Sequence, residues 1–367
     1  MLRILLSPIS IVVYIILLIR HKLYDWKIFK SEKFDRPVVC VGNLNLGGTG
    51  KTPHVEYLLQ LLVDRYQVCT ISHGYGRETQ GFKSATNGTN ARDIGDEPML
   101  FYSKYGDKAW VVADRDRNEA IRIMTGRYEE LHPNKKDNRL VFLLDDAFQH
   151  RSTEAGLNIL LTRYDRLYTR DFLFPSGTLR DLGRAARRAH IVVVTKCPQL
   201  ASVDESMVKA LRKELKLRDD QHLYISAMEH EPLKPVNQTA QATTQQLRSV
   251  SAKSVGVLCF TGIDNPFPLH DHLRETYREL HKISFADHHS FSEKDIRRIL
   301  ECYDQIRCDD KIIVTTEKDY ARLINNPYLC EFEKAPLFVA PIKVKFHEEE
   351  KFKEEILNYV QQNTSNG

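Results

Sequence analysis

Residues 40–53 read Cys-Val-Gly-Asn-Leu-Asn-Leu-Gly-Gly-Thr-Gly-Lys-Thr-Pro, an apolar run passing into a glycine-rich loop that closes on a lysine and a threonine. Glycines at 47, 48 and 50 let backbone N–H groups turn inward around phosphoryl oxygens. Lys51 then reaches the outer phosphates, and the Thr52 hydroxyl can ligate Mg2+. The expected nucleotide contacts are therefore Asn45, Leu46, Gly47, Gly48, Thr49, Gly50, Lys51 and Thr52. Asn45 stands where the usual G-x-x-x-x-G-K-[ST] pattern has its first glycine, so the alternative of a tight turn without a ligand is weighed against the context. That context is a strand before the loop and, after it, a segment at 55–62 able to form a helix whose N-terminus adds partial positive charge.

Residues 140–144 are nearly all apolar and end in Asp145 and Asp146, which reads as a buried parallel strand delivering two carboxylates at its C-terminal end. In a doubly wound sheet the phosphate loop lies at that same edge. One carboxylate can hold Mg2+ from one side while Thr52 holds it from the other. A turn with helix-capping aspartates is the competing reading, weakened by the presence of Lys51.

Gly95-Asp96-Glu97-Pro98 puts two carboxylates before a helical stretch at 99–105. Asp96 either caps that helix or acts as a general base on an attacking hydroxyl. An imidazole from Phe285-Ala286-Asp287-His288-His289 could orient such a base and tune its pKa. Asp146-Ala147-Phe148-Gln149-His150-Arg151 continues the metal strand into a polar loop. Residues 174–181, Phe-Pro-Ser-Gly-Thr-Leu-Arg-Asp, open a basic helix with Arg184, Arg187 and Arg188. Those arginines form either a solvated face or a contact to an anionic headgroup or substrate phosphate. Thr195-Lys196-Cys197-Pro198 begins like a guanine-reading element but ends in proline, which favours adenine.

These groups need a scaffold, and the chain supplies alternating strands and helices. Strands are expected at 38–41, 68–72, 110–113, 140–144, 158–162 and 190–195, an α/β pattern with a parallel sheet. After a Gln, Thr and Ala-rich stretch at 232–254, expected to be a surface connection, a second alternation has strands at 255–261, 282–285, 311–315 and 337–339. Ser292 and Asp295 resemble a helix-start capping pair, and 347–361 a charged terminal helix. With 367 residues the chain suits two lobes. The expected divisions are an anchoring helix at 1–30, a phosphate-loop lobe at 31–230, a connection at 231–254 and a smaller α/β lobe at 255–367.

The net charge is only +4, so nothing calls for a nucleic acid partner, and no protein partner is indicated. Seven scattered cysteines without C-x-x-C pairs suit a reducing compartment. The run from Ile4 to Ile19 is almost wholly apolar, with Ser7 as expected N-cap and Pro8 at N1. From Pro8 to Ile19 it would extend about 18 Å at 1.5 Å per residue, short of the roughly 30 Å hydrocarbon core. A helix seated in one leaflet or a marginal span is expected, with Arg20, Lys22, Tyr24, Trp26, Lys27 and Lys30 at a headgroup interface. A secretory signal or a buried core helix are the alternatives; the former lacks a cleavage pattern.

The motifs together resemble the tetraacyldisaccharide 4′-kinases of lipid A biosynthesis. The shared segments are V-G-N-L-N-L-G-G-T-G-K-T-P at 41–53, H-G-Y-G-R at 73–77, G-D-E-P at 95–98, L-D-D-A-F-Q-H at 144–150 and F-P-S-G-T-L-R-D at 174–181. They continue with F-T-G-I-D-N-P at 260–266, F-A-D-H-H at 285–289 and T-T-E-K-D at 315–319. That family's loop also lacks the first glycine. His73, Ala147 and Asp181 depart from its more usual Arg, Gly and Glu. The resemblance implies transfer of the ATP γ-phosphoryl group to the 4′-hydroxyl of a tetraacylated disaccharide 1-phosphate, at the cytoplasmic face of the bacterial inner membrane. It implies Asp96 assisting deprotonation, aided by His288, with Lys51 on the phosphates and Asp145 and Asp146 at Mg2+. Arg77, Gln149, His150, Arg180 and Asp181 are the substrate candidates. A membrane-attached nucleotide switch acting on a protein is the alternative from another class.

Overall fold

A computed structural model of the chain describes residues 6–133 and 139–364. Residues 1–5, the start of the expected anchor, lie outside the described residues. The chain forms two compact units, one of Met1–His73, Tyr105–Met228 and Val344–Gly367, the other of Gly74–Lys104 and Glu229–Lys343.

The first unit begins with helix α1, Ser7–Asp25. Leu6 rather than Ser7 is its N-cap, and no side chain caps it. The helix runs past the apolar stretch through Arg20, His21 and Lys22, so its 19 residues reach about 28 Å. Only His21 is buried, which excludes a helix of a protein core. Ile11, Val12, Ile15, Ile16 and Ile19 are exposed.

The sheet of this unit contains β1 (Val38–Asn43), followed by helix α2 (Lys51–Leu62), then β2 (Gln67–Ser72) and β3 (Ala109–Ala113). Helix α3 (Arg117–Leu131), β4 (Leu140–Asp145), β5 (Leu157–Arg163), β6 (Ile191–Thr195), α4 (Glu205–Glu214) and β7 (His222–His230) follow. Within a nine-stranded sheet these seven lie side by side in the order β7-β6-β5-β1-β4-β2-β3, each neighbouring pair parallel. Strands β1 and β4 are buried along their whole length, which is why they read as unbroken apolar runs rather than as an alternation. Register sets Val41 beside Asp145, so the carboxylate strand ends next to the strand that feeds the loop. The six strands expected here all form. Strand β7 escaped sequence reading because His222, Ser226 and Glu229 interrupt its apolar residues.

Helix α2 starts at Lys51, four residues before the expected 55, because Gly50 takes the left-handed conformation (φ 84°) and serves as N-cap. A Cβ there would meet Met228 Cε, the movable end of a flexible side chain, so it is the left-handed backbone that calls for glycine. Val55, Leu58, Leu59 and Leu62 are fully buried, each contributing about 1.5–3 kcal/mol. Packing therefore seats the helix independently of any ligand.

The second unit carries a five-stranded sheet in the order Lys234–Pro235, Leu337–Ala340, Lys311–Thr316, Gly256–Thr261, Glu279–Ser284. All pairs are parallel except the short edge strand Lys234–Pro235. The stretch read as a surface connection is structured: it holds that edge strand and the helix Gln238–Leu247, capped by the Asn237 side chain and anchored by the buried Ala240. The capping box of Ser292 and Asp295 forms on the helix Glu293–Asp304. Two assignments of segments to units differ from the sequence reading. Residues 74–104 belong to the second unit, and the terminal helix Glu349–Thr364 to the first, where Phe352, Ile356 and Val360 are buried.

Candidate active site

The loop between β1 and α2 is shaped by hydrogen bonds from its surroundings. The Asn43 amide donates to the Thr49 hydroxyl (2.7 Å), the Thr195 hydroxyl to the Thr49 carbonyl (2.9 Å), and the Leu46 N–H to the Thr178 carbonyl (2.8 Å). The first N–H groups of a helix lack intrahelical partners, so Lys51 and Thr52 at the start of α2 present donors where a phosphate would sit. Beneath the loop, buried His54 places Nδ1 2.7 Å from the Gly50 carbonyl and Nε2 3.0 Å from the Ser226 hydroxyl. Nδ1–H donates to the carbonyl, and Nε2 accepts from the serine.

Burial pushes the His54 pKa down to about 4, against the opposing pull of the Gly50 carbonyl. The folded value lies below the ordinary 6.5, so the unfolded chain takes up a proton first as pH falls. The stability this imidazole contributes is full above pH 6.5 and is lost between 6.5 and about 4. Denaturant melts at pH 7.5 and 5 should show wild type losing about 2 kcal/mol more than His54→Asn over that interval; equal losses would refute the assignment.

Asp146 stands at the centre of the site. Lys51 Nζ lies 3.5 Å from its Oδ2, and Arg180 grips both oxygens while also donating to Asn43 Oδ1 at 2.7 Å. Burial works to raise the Asp146 pKa, but Lys51 and Arg180 outweigh it and hold the carboxyl below its usual range. Asp145 is buried and accepts from the Ser72 hydroxyl at 3.3 Å. Two acids, two cations and a hydroxyl thus converge at the C-terminal edge of β1 and β4.

Other sequence candidates have different places. The Asn45 amide donates to Asp171 (3.2 Å) and Thr178 (3.1 Å), so its side chain pins the loop. Leu46 is half-exposed. Gln149 donates to the Asn43 carbonyl at 2.7 Å. His150 bonds Ser152 at 2.8 Å, and burial, with Arg117 adding to it, lowers its pKa to about 4. Asp181, read as a substrate contact, is wholly buried, with its carboxylate turned to His21 and Arg188.

In the second unit, Asp96 is the first residue of the helix Asp96–Tyr105. Its Oδ2 accepts from His288 Nδ1 at 2.6 Å and from Arg322 Nε at 2.8 Å. His288 adopts a left-handed backbone (φ 60°), with its N–H on the Gly262 carbonyl at 3.2 Å. Burial acts to raise the Asp96 pKa, but His288 and Arg322 prevail and the carboxyl stays below its ordinary range. Arg322, missed by sequence reading, is buried between Asp96 and Asp319, with Nη1 2.7 Å from Asp319 Oδ1. Its only sequence signal was its i+3 spacing from Asp319 beside the T-T-E-K-D motif. Arg77 lies in this unit, donating to the Gly81 carbonyl at 2.8 Å.

A parallel α/β sheet, a loop closing on Lys51 and Thr52, and carboxylates on the adjacent strand define a P-loop phosphotransferase. The family model described as Tetraacyldisaccharide-1-P 4'-kinase matches residues 2–361, and the chain belongs to that family. It is 40% identical over 368 residues to a tetraacyldisaccharide 4'-kinase of Bacteroides thetaiotaomicron, covering 98% of this chain and 94% of the relative. A tetraacyldisaccharide 4'-kinase of Flavobacterium johnsoniae is 38% identical, covering 99% and 98%. Among solved structures, LpxK from Aquifex aeolicus in complex with ATP matches with a TM-score of 0.70 at 28% identity, covering 98% of this chain and 100% of that one.

Proposed function

We propose that this chain transfers the γ-phosphate of ATP to the 4′-hydroxyl of a tetraacyldisaccharide 1-phosphate, giving lipid IVA at the cytoplasmic face of the bacterial inner membrane. The observation that carries this reading is the convergence of Lys51 and Arg180 on Asp146 beside a phosphate loop, in a member of the tetraacyldisaccharide kinase family. The comparisons lend no support to a nucleotide switch.

Loop N–H groups and Lys51 bind the phosphates, and Arg180 offsets negative charge as the phosphoryl group moves. Thr52, Asp145 and Asp146 would hold Mg2+: all are hard oxygen donors, and Asp146 is held ionised. Among the described residues no group of three or more His, Cys, Asp and Glu could hold a metal. A Mg2+ site completed by phosphate oxygens and water, as is usual for this ion, fits that donor set. Bound there, the ion would neutralise phosphate charge. Asp96 accepts the proton of the attacking hydroxyl, His288 orients its carboxylate, and Arg322 keeps it ionised. Arg77 and His150 remain acceptor contacts to be tested by substitution. Helix α1 seats its exposed aliphatic face in lipid, with Arg20, Lys22, Lys27 and Lys30 near headgroups.

With γ-labelled ATP, Mg2+ and the acylated disaccharide monophosphate, label should enter the organic-extractable fraction stoichiometrically and a chelator should suppress the transfer. Label released only as free phosphate, indifferent to the lipid, would overturn the reading.

A further inference from the structure

Among the described residues of α1, only His21 is buried, and it is buried against charge. Its Nδ1 lies 3.1 Å from Arg151 Nη1, a group that can only donate, so the ring proton sits on Nε2. Nε2–H donates to Asp181 Oδ1 at 2.6 Å. The same oxygen accepts the Leu182 N–H at 2.8 Å, and Oδ2 faces Arg188 at 3.4 Å. Asp181 follows Arg180 directly in the chain. From neighbouring residues, one side chain runs to the apolar helix and the other to Asp146 and Asn43 in the phosphate site. The preceding helix residue makes a second tie. Arg20 donates to the Gln149 carbonyl at 2.7 Å, and the Gln149 amide donates to the Asn43 carbonyl at 2.7 Å.

A hydrogen bond to a buried carboxylate is charge-assisted, and losing it leaves that charge underpaired. Backbone relaxation at Asp181 would then carry the Arg180 guanidinium with it. Displacements of about 1 Å at a transferring group cost on the order of 100-fold in rate. We propose that His21 is a positioning residue for phosphoryl transfer: by fixing Asp181 it fixes the aim of Arg180, which makes α1 part of the catalytic scaffold and not only a lipid anchor. This rests on the reading of Arg180 as a phosphate-site residue.

The full-length enzyme is assayed by label transfer to lipid, with sedimentation on vesicles of phosphatidylethanolamine and phosphatidylglycerol alongside. His21→Leu should lower kcat about 10- to 100-fold while KM for ATP moves less than threefold and sedimentation is unchanged. His21→Gln keeps a donor at nearly the same reach and should recover kcat to within about threefold of wild type. Combining His21→Leu with Asp181→Asn should cost no more than the larger single effect. If His21→Leu does not accumulate as folded protein, His21→Asn, whose donor falls short of Asp181, replaces it with the same expectation. A kcat within twofold of wild type for the Leu or Asn variant, an equal loss in His21→Gln, or a loss matched by displacement from vesicles overturns the proposal. Arg180→Lys separates the two readings: wild-type kcat there removes Arg180 from the site, whereas a low kcat there beside an unaffected His21→Leu removes His21 alone.

Discussion

Lys51→Ala should lower kcat by about 100- to 1,000-fold, the range found when one preorganised donor to a transition-state oxyanion is removed. On the function proposed above its amine acts on the phosphates, and it contributes little to the fold. The ammonium lies 3.5 Å from Asp146 Oδ2, while Arg180 holds both oxygens of the same carboxylate. Asp146 therefore keeps a cation after the substitution, and the melting temperature should change by no more than a few degrees. Binding of the lipid acceptor should change far less than turnover, because phosphoryl transfer depends on charge stabilisation at the moving group. Lys51→Arg should restore little, since a planar fork does not reproduce a compact point charge at the end of a glycine loop. Label transfer to lipid measures the rate and a thermal melt the fold; wild-type turnover in a folded Lys51→Ala enzyme would end the assignment.

What the sequence disclosed about this site follows from which constraints are local. Gly50, Lys51 and Thr52 are fixed by backbone and phosphate chemistry within three residues, so their types announced the loop. Asp145 and Asp146 ended an unbroken apolar run that only a strand buried on both faces tolerates. Side-chain direction is a tertiary property and stayed hidden. Asn45 and Asp181 occupy motif positions that read as ligand contacts, yet one pins the loop to Asp171 and Thr178 and the other is buried against His21. Arg322 meets a carboxylate 226 positions away, a pairing that no local pattern encodes. The helix Gln238–Leu247 has one buried alanine and an asparagine cap, leaving no apolar period to read. Residues 74–104 join the second unit without any shift in composition to mark the change.

Asp96→Asn should lower kcat by about 100- to 10,000-fold, the span of general base catalysis, with KM for ATP little changed. The competing role is structural, because Asp96 begins a helix and takes a hydrogen bond from a buried arginine. The substitution separates the two roles. Asparagine keeps the shape and an acceptor for Arg322, and Arg322 retains Asp319 at 2.7 Å as counter-ion, so most of the scaffold survives. The carboxylate alone supplies an acceptor for a proton. Because the folded Asp96 pKa lies below 3.8, its stabilising contribution is present at neutral pH and disappears as pH falls from 3.8 through the folded value. Any stability gap between wild type and Asp96→Asn should therefore be measurable at pH 7 and close in strong acid. His288→Ala should reduce kcat less than Asp96→Asn, since it removes the orienting imidazole while leaving the base and Arg322 in place. Retained turnover in Asp96→Asn together with a large drop in melting temperature would assign Asp96 to the helix and the ion pair, and the general base would have to be sought elsewhere.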